Sequence, residues 1–314
     1  MNGGAPVPEQ RSVSGGVPEQ PPGPDSERIP ADGTGAADAS GAASSASAMR
    51  YAVLGPVRAW RGGDRLAPGT PQQQALLAVL LLREGRTATA PELIDALWGD
   101  DPPSQALPAI RTYASRLRKV LDPGDLTSVS GGYALTVPHG ALDLTVAQEL
   151  AAEAEKAAGS GDLCQARALL NKALGLWDGE ALAGVPGPHG RTQRTRLEEW
   201  RLSLQENLLE MDLEQGCHTE AVSELTALTA VHPLREHLRE LLMLALYRSG
   251  RQAEALAVYA DTRRLLAEEL GVDPRAGLRE LQSRILAADP ALAEPDTAAE
   301  QPASAPVRPA QLPA

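Results

Sequence analysis

From residue 49 onward the apolar positions follow two spacings. Met49 to Trp60 (MRYAVLGPVRAW) reads as short strands broken by a Gly55-Pro56 turn, and Gly62-Gly63-Asp64 marks a second turn before Arg65-Leu66. The spacing then becomes helical. Leu76, Leu77, Leu80 and Leu81 share a helix that Thr70 can cap, Pro71 can start and Gly85 stops. Thr89, with Glu92 three residues on, has the form of a capping box and opens a short helix carrying Leu93, Ile94 and Leu97 up to Trp98-Gly99. A tight link, Gly99-Asp100-Asp101-Pro102-Pro103, leads to SQALPAIRTYASRLRKVL. There Leu107, Ile110, Ala114, Leu117 and Leu121 recur at threes and fours, the buried stripe of a third helix. LTSVSGGYALTV closes the region as two short strands joined at Gly131-Gly132, a hairpin. Strands, three helices and a hairpin thus fill residues 49–138.

Residues 141–288 read as successive amphipathic helices with no strand signal. They carry a weak internal repeat. Gly216 and Gly250, Glu220 and Glu254, and Ala221 and Ala255 are each 34 residues apart, the tetratricopeptide period, and Gly161 with Ala166 repeats the five-residue Gly-to-Ala offset. Glycine lets the turn between paired helices close and alanine lets neighbours approach, so the spacing predicts stacked helix pairs that offer a surface to partners. A plain helical bundle with chance spacing is the alternative.

Composition separates the two ends from this folded stretch. Residues 1–48 hold Gly, Pro, Ala, Ser and scattered acids, too few large apolar groups to offset chain entropy, and residues 289–314 have the same character; both are expected to be disordered. No secretory signal is evident, and no apolar run approaches the ~18 residues of a membrane span. Cys164 and Cys217, the only cysteines, read as free thiols in a reducing cytoplasm. The histidines (His139, His189, His218, His232, His237) lack metal spacing, and Trp60, Trp98, Trp177 and Trp200 are expected in the core or at a domain interface. No nucleophile motif, metal set or carboxylate pair rises above background, so no enzyme, metal or cofactor is expected.

The net charge of −12 argues against a nucleic-acid partner until it is mapped. Residues 49–138 hold ten Lys and Arg against eight Asp and Glu, a net of +2, and the rest of the chain is acidic. The third helix carries Arg111, Thr112, Ser115, Arg116, Arg118 and Lys119 away from its apolar stripe. Such a helix fits the DNA major groove, where Arg pairs with guanine and with phosphate; an ordinary solvated basic face is the alternative. Arg191, Arg194, Arg196 and Arg201 form a second basic run, read as a solvated face or as a contact to DNA backbone or polymerase.

These residues, from LGPVRAW through ELIDALWGDDPP and ALPAIRTYASRLRKVL to LRELLMLALYRSGRQAEAL and EELGVDP, resemble the Streptomyces antibiotic regulatory protein (SARP) family, to about residue 288. The resemblance implies a mainly α chain: an OmpR/PhoB-type winged helix-turn-helix over 49–138, then an all-α tetratricopeptide-like bacterial transcriptional activation domain over 141–288. It makes the third helix the recognition helix, with Arg111, Thr112, Tyr113, Ser115, Arg116, Arg118 and Lys119 toward DNA. The hairpin becomes the wing, with Ser130 and Gly131 at DNA. Thr127 to Val137 contains no Lys or Arg, so wing contacts to phosphate fall to Ser128, Ser130 and backbone amides. Asp100, Asp101 and Pro102 are placed toward the polymerase sigma factor; the alternative is that this link only starts the third helix. The implied function is a cytoplasmic transcription activator that binds direct repeats at promoters, with a second protomer on the DNA, recruits RNA polymerase and controls antibiotic or secondary metabolism. Relatives are phosphoproteins. Longer ones add an ATPase module, and no Gly-rich loop ending in Gly-Lys-Ser or Gly-Lys-Thr occurs here, so a short member or a piece of a longer one is expected. A repeat scaffold whose winged domain binds protein rather than DNA is the competing reading.

Overall fold

The structure, a computed structural model, describes residues 48–292. The expected disordered ends lie outside the described residues, apart from Ala48 and Asp289–Leu292. The packed chain reaches four residues past the expected end at 288: Pro290–Leu292 forms a short 3-10 turn, Leu292 is buried, and its carbonyl accepts from Arg248 Nε at 3.1 Å.

Strands β1 (Met49–Ala52), β2 (Arg58–Arg61) and β3 (Asp64–Leu66) form an antiparallel sheet in that order. Helix α1 (Pro71–Leu81) follows, its start fixed by Pro71 and by Gln73 Oε1, which accepts from the Thr70 N–H at 2.9 Å. A two-residue strand, β4 (Ala88–Thr89), leads into α2 (Ala90–Trp98) through the expected capping box: the Thr89 N–H donates to Glu92 at 2.8 Å and the Glu92 N–H to Thr89 Oγ1 at 3.4 Å. The Arg83 guanidinium and the two Thr89 donors hold the Glu92 carboxyl down at about 2. Helix α3 (Ala106–Leu117) precedes β5 (Leu126–Val129) and β6 (Gly132–Leu135), which pair with β4 in the order β4-β6-β5.

Three details depart from the sequence pattern. The expected stripe of α3 includes Leu107, but Leu107 is 38 % exposed and Ala106 is buried in its place. The core side is centred on Ile110, and about 100° per residue puts Ala106 with Ile110, Ala114 and Leu117 while Leu107 falls on the flank. The hairpin turn sits one residue earlier than expected, at Ser130-Gly131. Both have positive φ (25° and 81°), as a two-residue turn that keeps the strand twist requires. Gly132 belongs instead to β6, where a Cβ would stand 2.1 Å from the Ala88 carbonyl oxygen; the absence of a side chain is what lets β4 pair there.

The second half is helical: α4 (Asp143–Gly159), α5 (Leu163–Leu174), α6 (Pro188–Glu214), α7 (His218–Val231), α8 (Glu236–Arg248), α9 (Gln252–Glu269) and α10 (Ala276–Leu286). The repeated glycines close three helix pairs by one device. Gly161, Gly216 and Gly250 all have positive φ. The next N–H reaches back five residues: Asp162 to Ala157 at 2.9 Å, Cys217 to Asp212 at 2.9 Å and Arg251 to Leu246 at 2.8 Å. Ala166, Ala221 and Ala255 are buried where the returning helix crosses its partner.

One apolar core runs from Met49 through the three-helix region into α4, α5 and the first part of α6, and a second spans Leu202 to Leu292. The first core therefore crosses the expected boundary near residue 138. The β1–β2 turn makes the connection. Asp143, at the start of α4, accepts from the Val53 and Leu54 N–H groups at 2.9 Å. The Leu54 carbonyl accepts from Asp178 at 2.8 Å, the Val53 carbonyl accepts from Leu182 at 2.9 Å, and Arg58 pairs with Asp178.

Within the helical half, His237 Nε2 lies 2.7 Å from Glu210 Oε1, and its Nδ1 is 3.6 Å from Glu240. The hydrogen bond to Glu210, with Glu240 adding to it, lifts its pKa to about 9 against the ordinary 6.5. A base whose pKa is raised by folding stabilises the fold fully below its unfolded pKa, and that contribution is lost as pH climbs through the folded value. Stability is therefore expected to fall between about pH 6.5 and pH 9. His237→Gln should flatten that slope in urea titrations across the range; an unchanged slope would exclude His237 as its source.

Candidate nucleic-acid interface

Helix α3 is fixed from three sides. Its apolar face, Ala106, Ile110, Ala114 and Leu117, lies in the first core or against it. At its C-terminal end Arg61 of β2 donates from Nε to Asp122 Oδ1 at 2.7 Å and from NH2 to the Val120 carbonyl at 3.0 Å. Arg118 joins it to the hairpin: Nε donates to the Leu126 carbonyl at 2.9 Å, NH2 to Ser128 Oγ at 2.7 Å, and the guanidinium stacks 5.5 Å over Tyr133. Arg118 thus ties the helix to the hairpin.

The face of α3 opposite the core carries Thr112, Ser115 and Arg116, all exposed, with Arg111 on the flank; the helix ends at Leu117, so Lys119, expected on it, stands exposed in the turn that follows. Arg111, Arg116 and Lys119 have no carboxylate partner among the described residues, so their charge is available to an incoming anion. Thr112 spends its hydroxyl proton on the Pro108 carbonyl at 2.9 Å and keeps its acceptor and methyl outward. Tyr113 is partly buried against the core, and Arg118 is occupied by the hairpin. The expected set therefore separates into an open group (Arg111, Thr112, Ser115, Arg116, Lys119) and two residues that position it. Ser130 and Gly131, at the hairpin tip, are exposed.

The link to α3 is exposed from Asp100 through Gln105. Its base is braced by the helical half. A Cβ on Gly99 would lie 3.2 Å from Pro188 Cγ, and one on Gly187 2.5 Å from the Leu97 carbonyl, so the start of α6 abuts the end of α2. Of the second basic run, two members are structural, which corrects their reading as a solvated face. Arg194 donates to the Leu182 and Val185 carbonyls at 2.8 and 3.1 Å, and Arg201 donates to the Gly179 carbonyl at 3.3 Å beside the Trp177 ring. They fold the 177–187 loop onto α6; Arg191 and Arg196 stay exposed. The carbonyls they satisfy lie in an irregular loop whose conformation no periodicity reveals.

Residues 64–135 match the family described as "Transcriptional regulatory protein, C terminal", and residues 142–286 match "Bacterial transcriptional activator domain". The regulatory protein DnrI of Streptomyces peucetius is 37% identical over 78% of this chain and 94% of its own length. The chain belongs to the SARP family. Among SARP relatives, the regulatory protein AfsR of Streptomyces coelicolor is 75% identical over 85% of this chain but only 27% of its own length, so the chain spans about a quarter of the AfsR proteins it matches. A solved structure, Mycobacterium tuberculosis EmbR in complex with a low-affinity phosphopeptide, superposes with a TM-score of 0.73 at 34% identity, covering 76% of this chain and 65% of that one. The winged helix-turn-helix followed by an all-α activator domain is the SARP architecture. No helix among the described residues is long and apolar enough to cross a membrane.

Proposed function

We propose that this chain is a sequence-specific, non-enzymatic transcription activator that holds promoter DNA with α3 and the hairpin, residues 49–138, and acts on RNA polymerase with the help of residues 141–288. The observation that carries this reading is the outward face of α3. Its unpaired Arg111 and Arg116, with Lys119 in the turn just after it, stand beside hydroxyls on a helix locked to the core and to the hairpin. Arg offers bidentate contacts to guanine and Lys a point charge to phosphate. Ser130 and Gly131 bring backbone amides to the neighbouring phosphates, since the hairpin has no cation of its own. Two protomers arranged head to tail suit direct repeats about one helical turn apart.

The acidic link is the proposed contact to the sigma factor. Asp100 and Asp101 are exposed, Pro102 limits the freedom lost on docking, and α6 braces the link from behind. The cytoplasm and the control of secondary metabolism complete the proposal by family likeness. The test compares the wild-type chain with Asp100→Ala/Asp101→Ala on a promoter fragment, by footprinting and by transcription in a purified system. Equal protection of a direct repeat with reduced transcript is the expected result. Equal transcript at equal occupancy would remove the link as a polymerase contact, and no protected repeat would remove the DNA reading.

A further inference from the structure

A second cationic site lies away from α3, where the two halves meet. The loop between α1 and β4 and the face of α6 enclose a cavity of about 340 Å³ lined by Arg83, Glu84, Arg86, His189, Gln193 and Arg196. Its position separates it from the DNA face. The loop runs back along β6: Gly85 lies beside the Leu135 carbonyl, and the Ala90 N–H donates to the Gly131 carbonyl at 3.0 Å. The hairpin tip is thus at one end of β6 and the cavity at the other.

The lining presents three guanidinium groups against one carboxylate, Glu84. Arg83 pairs with Glu92 at 3.0 Å and donates to the Thr87 carbonyl. Arg86 uses only its Nε, on the Arg83 carbonyl at 3.1 Å, and keeps its terminal nitrogens. Arg196 is exposed and has no ion-pair partner among the described residues. His189 Nε2 is buried and makes no hydrogen bond in the structure. A buried ring nitrogen left unpaired is costly, and among arginines its natural partner is an anion that brings oxygens. Burial, with Arg83 adding and the Asp95 carboxylate opposing, holds the His189 imidazole below its ordinary pKa, and an anion in the cavity would favour its protonated form.

We infer that this cavity binds a tetrahedral phosphate-type dianion, free or carried as a phosphomonoester, bridging Arg83 and Arg86 of the winged domain to His189 and Arg196 of the helical domain. Forked guanidinium groups match phosphate oxygens, and Gln193 adds an amide donor. The volume leaves room for the organic part of a phosphorylated side chain as well as for the free anion. Such a ligand would tighten the joint between the halves, because its contacts come from both.

The test is calorimetric titration of the full chain with sulfate, inorganic phosphate and phosphoserine, with chloride as control at constant ionic strength. Saturable binding with a dissociation constant on the order of 1 mM is expected for sulfate and phosphate. Arg86→Ala/Arg196→Ala should weaken it tenfold or more, while Arg116→Ala on the DNA face should leave it unchanged. Sulfate does not titrate near neutrality, so its affinity should rise as pH falls from about 8 to about 6 in the wild type and not in His189→Gln, where the proton acceptor is gone. Tighter binding of phosphoserine than of phosphate would assign the site to a phosphorylated side chain, and equal binding would assign it to the free anion. No saturation beyond chloride, or binding indifferent to Arg86 and Arg196 with circular dichroism unchanged, would overturn the inference.

Discussion

Arg235→Ala is expected to cost the protein about 3 kcal/mol, toward the lower end of the range for breaking a buried ion pair. Glu206, on α6, is 5 % exposed, and Arg235 grips it with two bonds, Nε to Oε1 at 2.9 Å and NH2 to Oε2 at 2.8 Å, while also pairing with Glu199. Removing the guanidinium strands a carboxylate where water reaches it poorly. Arg235 is itself about one-third exposed, so water can partly replace it, which is why the low end applies. The pair bridges the middle of α6 to the start of α8, and its loss should loosen the second core first. Urea unfolding measures it. Arg235→Met with Glu206→Leu, which removes both charges, should recover most of the loss. A single alanine variant as stable as the wild type would show that the pair is solvated in solution.

Asp143→Ala is expected to cost about 2–4 kcal/mol, because it orphans two backbone donors at fully buried positions, Val53 and Leu54. Its carboxylate also accepts from the Leu144 N–H at 2.7 Å, so one side chain in the first turn of α4 ties the β1–β2 turn to that helix. Burial pushes the Asp143 carboxyl up and the three N–H donors pull it down, with burial the larger. Asp143→Asn keeps one oxygen for those donors and should lose less than half as much. Backbone hydrogen exchange at Val53 and Leu54 should accelerate in the alanine variant well before global unfolding. Equal protection would mean that the Asp143 bonds do not hold the β1–β2 turn to α4.

Much of this architecture was legible because each signal is local. Thr89 and Glu92 cap α2 whatever surrounds them, and Gly161, Gly216 and Gly250 announce turns that only a positive φ can close. The parts that escaped depend on distant partners. β4 is two residues long, too short for alternation, and exists because Gly132 lets another strand approach. Leu107 fits a heptad-like stripe as well as Ala106 does, and the choice between them was made by α1 and α2, which pack against α3. The joint between the halves rests on Asp143, Asp178 and Arg58, polar residues that carry no pattern until the fold brings them together.

The candidate site divides along the same line. Residue type and helical phase were enough to place Thr112, Ser115 and Arg116 on an open face. They could not show that Arg118 spends its donors on Leu126 and Ser128, or that Arg194 and Arg201 fold a loop instead of meeting a partner. An arginine on an exposed helix face looks the same in sequence whether or not a carbonyl waits for it.

The salt dependence of operator binding by the wild-type chain, Arg116→Ala and Lys119→Ala tests the DNA reading most directly. Phosphate contacts release counterions, so log affinity should fall steeply and linearly with log salt in the wild type. Lys119→Ala should lower the slope by about one and weaken specific and non-specific DNA alike, while Arg116→Ala should cost about 1–3 kcal/mol on the operator and erode its advantage over non-specific DNA. Affinity indifferent to salt, or an operator bound equally well by all three proteins with their fold intact, would contradict the assignment of α3 as the DNA-reading helix and favour a protein partner for the winged domain.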